Sequence, residues 1–130
     1  MSVKKYKYSY RDSSSKLHKA VGEILRTDPK LKNFRSLQEY PLPRPHANMH
    51  IDWMVLDFNL AIEIHGEQHY MPVTFGGITE EEATKRFLEQ QKRDKQKKSI
   101  CQSLGWKTLD IPYTVKNEDI AQLILDAIVS

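Results

Sequence analysis

Residues 50–65 read HIDWMVLDFNLAIEIH, and this stretch decides the fold. Both of its ends are rich in apolar and β-branched residues, whereas Asp57, Phe58 and Asn59 between them have the composition of a short turn. Two such segments joined by a tight turn favour an antiparallel hairpin. The sequence therefore predicts two neighbouring strands, one over residues 50–56 and the other over residues 60–65.

Further helix and strand signals precede the hairpin. Leu17, Val21 and Leu25 recur at helical spacing, directly after a serine run at residues 13–15 that can cap a helix start. Residues 34–42 predict a strand, although their alternation of apolar and polar residues is blurred. The first 12 residues combine lysine with tyrosine and show no apolar period. They predict a flexible basic arm ahead of the folded domain.

After the hairpin, Thr79 and Glu82 have the spacing of a capping box, which marks a helix start. A long helix is expected from there to about residue 104, with Gly105 as its stop. Residues 106–112 predict a strand, and Asn117 is predicted to cap a last helix. The element order is therefore α-β-β-β-α-β-α, which indicates a single α/β domain over residues 13–130.

Composition narrows the class of protein. The chain has 130 residues, of which 39% are hydrophobic and 28% charged, as in a globular protein with one core. No apolar run approaches the roughly 20 residues of a membrane span, so no membrane partner is expected. The lone Cys101 excludes an intrachain disulfide and is predicted to fill the core. These features favour an intracellular location.

Positive charge is concentrated in two regions, although the net charge is only +3. Residues 1–35 contain ten basic and three acidic residues, and residues 92–98 contain five basic residues and one acid. Basic patches of this kind attract polyanions such as DNA, unless they are only a solvated helix face and a free tail. The residues predicted to contact DNA are Lys4, Lys5, Lys7, Lys92, Arg93, Lys97 and Lys98.

The hairpin also carries an unusual set of polar side chains. Because side chains alternate across a strand, Glu63 and His65 share one face, whereas Ile62 and Ile64 point to the other. Asp52 on the neighbouring strand also lies among apolar residues. A carboxylate in apolar surroundings needs a partner, and a divalent cation is one. Asp52 and Glu63 are therefore predicted to share Mg²⁺, or Mn²⁺, although Glu63 could instead pair with a lysine.

Proton transfer could involve either of two histidines. His65 and His69 are both candidates for a general base, since imidazole titrates near neutral pH. Glu23, on the first helix, is a third acid that the fold could bring over the strands. Zinc is a rival, because the two histidines are four residues apart as in helical zinc motifs. Gly66 argues against a helix at this point, and no cysteine lies nearby.

Asp52 followed by Glu63-x-His65 resembles the PD-(D/E)XK nuclease superfamily, with His65 at the lysine position. A longer pattern is more specific: IEIHGEQH at residues 62–69, Arg93-Asp94, and LGWKTL at residues 104–109. It resembles the very-short-patch-repair-like branch, which includes a mismatch-nicking endonuclease and phage-type homing endonucleases with a Glu–Asp–x–His–Asp signature. The resemblance covers about residues 16–128.

The resemblance implies a restriction-endonuclease-like core, with a mixed four-stranded sheet flanked by helices. It also implies a metal-dependent endonuclease that hydrolyses double-stranded DNA, in a homing or mobile-element role. A mismatch-nicking or junction-resolving repair nuclease is an alternative, as is a catalytically inactive DNA-binding module of the same fold. One chain has one site, so a double-strand break would require a homodimer or two sequential nicks.

The resemblance also assigns roles to single residues. The superfamily lysine is absent from the second strand, so Gln68, His69 or a lysine such as Lys97 would have to replace it. The other matching positions are Glu23 for the helix acid, Asp52 for the metal-binding aspartate, Glu63 and His65 for the second-strand motif, His69 for the histidine after the glycine bend, and Asp94 for the late acid.

Overall fold

The computed structural model describes residues 16–66, 72 and 77–130, which form a four-stranded sheet with three helices. The predicted order α-β-β-β-α-β-α is confirmed. The predicted arm and the serine run lie outside the described residues. The elements are α1 (Lys16–Thr27), β1 (Ser36–Pro41), β2 (His50–Val55), β3 (Leu60–His65), α2 (Glu80–Ser103), β4 (Lys107–Pro112) and α3 (Asn117–Val129).

The sheet is mixed, with its strands in the order β1-β2-β3-β4. The first two pairings are antiparallel, and β4 lies parallel to β3. The predicted hairpin is confirmed, because Trp53 pairs with Ile62 and Val55 with Leu60. A 3₁₀ turn joins these strands and ends at Asn59, whose φ of 50° is left-handed, a conformation that asparagine tolerates better than most residues.

One face of the sheet packs against α1 and α3 and forms the main core. Alternate residues of β3, including Ile62 and Ile64, point to this face, and both are buried. The core joins them to residues of the two helices, the intervening loop and the other strands: Val21, Leu25, Leu31, Trp53, Val55, Leu60, Ile111, Ile120, Ile124 and Ile128.

The opposite face of the sheet meets α2, and its apolar cluster is smaller. That cluster contains Ala61 of β3 and Cys101 of α2, so Cys101 lies in the core as predicted. Of the 24 residues of α2, only Ala83 and Cys101 are buried. The helix therefore covers the sheet mainly with polar side chains. Among the residues that the structure describes, no helix is both long and apolar enough to cross a membrane.

The predicted boundaries of α2 are confirmed, whereas the predicted N-cap of α3 is wrong. Thr79 accepts the Glu82 N–H at 3.1 Å, and Glu82 in turn accepts the Thr79 N–H at 3.3 Å, which completes the capping box. Gly105 has a φ of +79° directly after the helix. Asn117 is not the cap of α3. Lys116 precedes the helix with extended backbone angles and makes no side-chain cap bond.

Candidate active site

Asp52 and Glu63 meet at the open end of the β2–β3 hairpin. The Asp52 N–H donates to Glu63 Oε2 at 2.8 Å, and the Ile64 N–H donates to Asp52 Oδ2, also at 2.8 Å. Each carboxylate therefore accepts a main-chain N–H from the other strand. The two acids are neighbours, as the hairpin predicted, and these reciprocal bonds hold both side chains in place.

This carboxylate pair is electrostatically unfavourable when both groups are charged. Burial raises the pKa of Glu63 to about 7, and the charge of Asp52 adds to the effect. Burial likewise raises the pKa of Asp52, with a further contribution from Glu39, although the hydrogen bond from Ile64 opposes it. Positive charge placed at the pair would relieve this repulsion.

Lys97 supplies such a charge from α2. Its Nζ lies 2.8 Å from Glu63 Oε1, and its side chain is only 20% exposed. Burial by itself would lower the pKa of Lys97, but the charge and hydrogen bond of Glu63, together with Asp52 and Asp94, outweigh it and raise the pKa. Lys97 was predicted to contact DNA or to replace the missing superfamily lysine. In this structure it contacts the second-strand acid.

His65 is held between two other carboxylates. Its Nε2 lies 3.0 Å from Asp110 Oδ1, and its Nδ1 lies 3.8 Å from Asp94 Oδ2. Burial would lower the pKa of His65, but the hydrogen bond and charge of Asp110 and the charge of Asp94 outweigh it and raise the pKa. A raised pKa favours the protonated imidazole, which donates hydrogen bonds from both ring nitrogens.

Sequence reasoning missed Asp110, which completes this second cluster. Lys98 Nζ lies 2.6 Å from Asp110 Oδ2. The hydrogen bond from His65, helped by Lys98, lowers the pKa of Asp110 to about 2 in spite of partial burial. The sequence does contain a signal for this residue, because Asp110 lies between Leu109 and Ile111. The same pattern of an acid between apolar residues had identified Asp52 and Glu63.

Glu39 is a second acid that the sequence did not indicate. It lies on β1 opposite Asp52, between the paired positions Gln38–Trp53 and Tyr40–Ile51. Its φ of 53° is unusual for glutamate, and the residue is half-buried. Its negative charge contributes to the raised pKa of Asp52. The blurred alternation of β1 concealed which of its side chains would face the hairpin.

A single cleft between the sheet and α2 joins the two clusters. Glu63, His65 and Asp110 line it from the sheet, and three basic residues line it from the helix: Lys95, Lys97 and Lys98. The cleft thus brings carboxylates and positive charges together within one concave surface. Such a surface could hold both a cation and the phosphate group of a substrate.

Other predicted residues lie elsewhere. Glu23 is exposed on α1 and pairs with Arg26, so this structure does not join it to the sheet acids. Lys92 and Arg93 are exposed on α2, where Arg93 donates to Gln90. His69 and Gln68 lie outside the described residues, as do Lys4, Lys5 and Lys7.

Asp52 and Glu63 offer oxygen donors of the kind that Mg²⁺ prefers. Within residues 16–66, 72 and 77–130, no three His, Cys, Asp or Glu side chains are grouped so as to hold a metal. Zinc sites use three or four protein ligands, whereas Mg²⁺ is commonly bound by one or two carboxylates and several waters. Asp52 and Glu63 provide two such carboxylates, and burial raises the pKa of both.

Comparison with known proteins finds similar viral proteins, whose own activities are uncharacterized. The chain is 30% identical over 88 residues to uncharacterized protein 094L of Frog virus 3 (isolate Goorha), an alignment that covers 66% of this chain and 55% of the viral protein. It is 32% identical over 77 residues to uncharacterized protein 033L of Invertebrate iridescent virus 3, covering 59% and 38%. The chain thus spans about half or less of these relatives. No protein-family model and no solved structure matches it.

Proposed function

We propose that this protein is a metal-dependent endonuclease that hydrolyses phosphodiester bonds in double-stranded DNA. The observation that carries the proposal is the Asp52–Glu63 pair, in which two half-buried carboxylates on adjacent strands are fixed by reciprocal main-chain bonds. Holding two charged acids together in this way costs electrostatic repulsion, which a purely structural pair would have to offset through its hydrogen bonds and Lys97 alone. A site for a divalent cation does gain from it, since both ligands are already oriented.

Asp52 and Glu63 would hold Mg²⁺ or Mn²⁺. A bound metal of this kind supplies an acidified water and neutralises charge on the phosphodiester. Lys97 lies against Glu63, where it can replace the lysine that the second strand lacks. His65, whose pKa is raised by the neighbouring Asp110 and Asp94, is placed to donate a proton or a hydrogen bond to a phosphate oxygen.

The basic residues of α2 provide the contact with DNA in this proposal. Lys92 and Arg93 are exposed on the helix that forms one wall of the cleft, and Lys95 and Lys98 line the cleft itself. Phosphate contacts from such residues position a duplex without reading its sequence. A homing or mobile-element role is the proposed setting, and cutting both strands would require two copies of the chain or two successive nicks.

A catalytically inactive DNA-binding module is the second candidate, and one observation favours it. The ion pair between Lys97 and Glu63 gives the buried carboxylate a counter-charge without any metal. In that case the acids would be structural and the basic helix would act alone. The two candidates make opposite predictions about cleavage.

Nicking of supercoiled plasmid distinguishes them. Wild type should nick in Mg²⁺ or Mn²⁺ but not in EDTA, and Asp52→Asn and Glu63→Gln should each lower the rate by about 100-fold or more, because each removes a charged metal ligand. Asp126→Asn, on the exposed side of α3, is the matched control and should leave the rate unchanged. If wild type nicks no faster than the two site variants, the enzyme is excluded. Duplex binding that persists in EDTA would then support the second candidate.

A further inference from the structure

The ammonium group of Lys97 contacts the carboxylate pair at which a metal ion would bind. Of the four carboxylate oxygens, Glu63 Oε2 and Asp52 Oδ2 accept main-chain N–H groups, and Glu63 Oε1 accepts from Lys97. Only Asp52 Oδ1 has no hydrogen bond within the part of the chain that the structure describes. Each oxygen keeps a second lone pair, but Glu63 Oε1 and Asp52 Oδ1 are the two that accept no main-chain N–H. A cation held by both acids through these oxygens would meet Lys97 at Glu63 Oε1.

Lys97 and a divalent metal would compete for the carboxylate pair, because both are positively charged. A divalent ion and an ammonium group a few ångströms apart repel each other strongly in a partly buried site. Asp52 and Asp94 attract Lys97 in addition to Glu63, so the lysine is held by the same charges that would attract a metal. Binding of the metal therefore has to overcome an existing interaction.

Lysine is well suited to leave such a position. Its ammonium group is a compact charge on a flexible four-carbon stem, so it can swing away without movement of the helix. The cleft beside it also contains Lys95 and Lys98. A released Lys97 would stay in the cleft and add to the positive charge available there to a phosphate group.

We propose that Lys97 is an exchangeable internal cation, which occupies the carboxylate pair in the metal-free protein and is displaced by the divalent metal. This inference rests on the proposed function, since it assumes that Asp52 and Glu63 bind a metal. It adds that the chain regulates its own loading: the lysine stabilises the empty site and weakens metal binding. Removing the lysine should therefore tighten the binding of the metal rather than weaken it.

Binding of Mn²⁺, followed by electron paramagnetic resonance of the free ion, tests this directly. Lys97→Met should bind Mn²⁺ at least about tenfold more tightly than wild type, because a competing charge has been removed. Lys85→Met removes the same charge from an exposed position of α2, about 18 Å along the helix. It should change the affinity by less than about twofold, the effect of a distant, screened charge. Equal or weaker binding by Lys97→Met would overturn the proposal.

A measurement on wild type covers the case in which Lys97→Met folds poorly. The ε-methylene carbon resonance of Lys97 can be assigned by its absence in Lys97→Arg and followed as Mg²⁺ is added. It should shift with the midpoint of metal binding. A resonance that does not respond while the metal binds would also overturn the exchange.

The outcomes keep this inference separate from the proposed function. If wild type nicks plasmid but Lys97→Met binds Mn²⁺ no more tightly, the result supports the endonuclease function and rejects the displacement of Lys97 by the metal. If Lys97→Met binds Mn²⁺ more tightly but wild type cuts no DNA, the exchange stands and the nuclease fails. If neither protein binds Mn²⁺, the exchange fails, and plasmid nicking alone decides the nuclease.

Discussion

The two faces of the sheet differ sharply in what covers them. Within the part of the chain that the structure describes, the face against α1 and α3 belongs to a core of twelve buried apolar residues. The face against α2 carries a smaller apolar cluster and two groups of charged side chains. A single strand shows the contrast, since β3 sends Ile62 and Ile64 to one side and Glu63 and His65 to the other.

This difference indicates that one face supplies most of the stability, whereas the other carries the charged cleft. Burial of apolar surface is the main source of stability, and the α1–α3 face provides most of it. The helix α2 is instead tied to the sheet by the ion pairs Lys97–Glu63 and Lys98–Asp110. Partly buried ion pairs are weak contributors to stability, because desolvation offsets their attraction. The α2 face therefore contributes less to stability than the α1–α3 face and carries a charged cleft instead.

The largest effect is expected on the apolar face. Ile62 is fully buried, so Ile62→Ala should lower the free energy of unfolding by about 2–5 kcal/mol, through lost burial and a cavity. Urea denaturation measures this. Val129 is 80% exposed, so Val129→Ala should change stability by less than about 0.5 kcal/mol. A loss below about 1 kcal/mol for Ile62→Ala would remove the contrast between the two faces.

The titratable side chains on the α2 face should make the stability of the protein depend on pH. Burial and the charge of Asp52 raise the pKa of Glu63 from 4.5 to about 7 in the folded protein, so the measurement is made in EDTA to keep metal away from the pair. The folded state therefore binds protons more tightly, and its stability should fall as pH rises from about 4.5 through 7. We expect wild type to lose roughly 1–3 kcal/mol across this range.

Asp52→Asn is the matched variant for this measurement. It removes the neighbouring charge that helps raise the pKa of Glu63, so its stability should fall less over the same range. His65 also has a raised pKa and acts in the same direction in both proteins, whereas the low pKa of Asp110 matters only in more acidic solution. Urea unfolding at several pH values gives both curves. Parallel curves would show that the two carboxylates are not coupled.

The smallest effect is expected for single contacts to DNA. Lys92→Ala should weaken binding of a duplex a few-fold, and reduce the slope of log affinity against log salt by about 0.9, if Lys92 contacts one phosphate. Fluorescence anisotropy in Ca²⁺ at increasing KCl concentrations measures both quantities. Lys116→Ala, an exposed lysine just before α3, is the control. Equal effects of the two substitutions would show that the affinity for DNA depends on the overall charge of the protein and not on contacts with the α2 face.

Local patterns were enough to predict much of this molecule. The capping box of Thr79 and Glu82 and the turn before β3 depend on residues close in the chain, and both were predicted. Asp52 and Glu63 stood out because acids are rare among isoleucines. Asp110 carried the same signal but was overlooked, since its importance depends on the parallel pairing that places it beside Glu63.

The sequence by itself determined the order of the elements, the two faces of β3 and the adjacency of the two hairpin acids. Only the tertiary structure decided which charged side chains meet in the cleft. Lys97 reaches Glu63 over 34 positions of sequence, and His65 reaches Asp110 over 45. The period of a helix or strand depends only on the local backbone, and it fixes the side of the element on which a residue lies. Which distant residue it then meets depends on how α2 is seated across the sheet, and that is set by the packing of the whole domain.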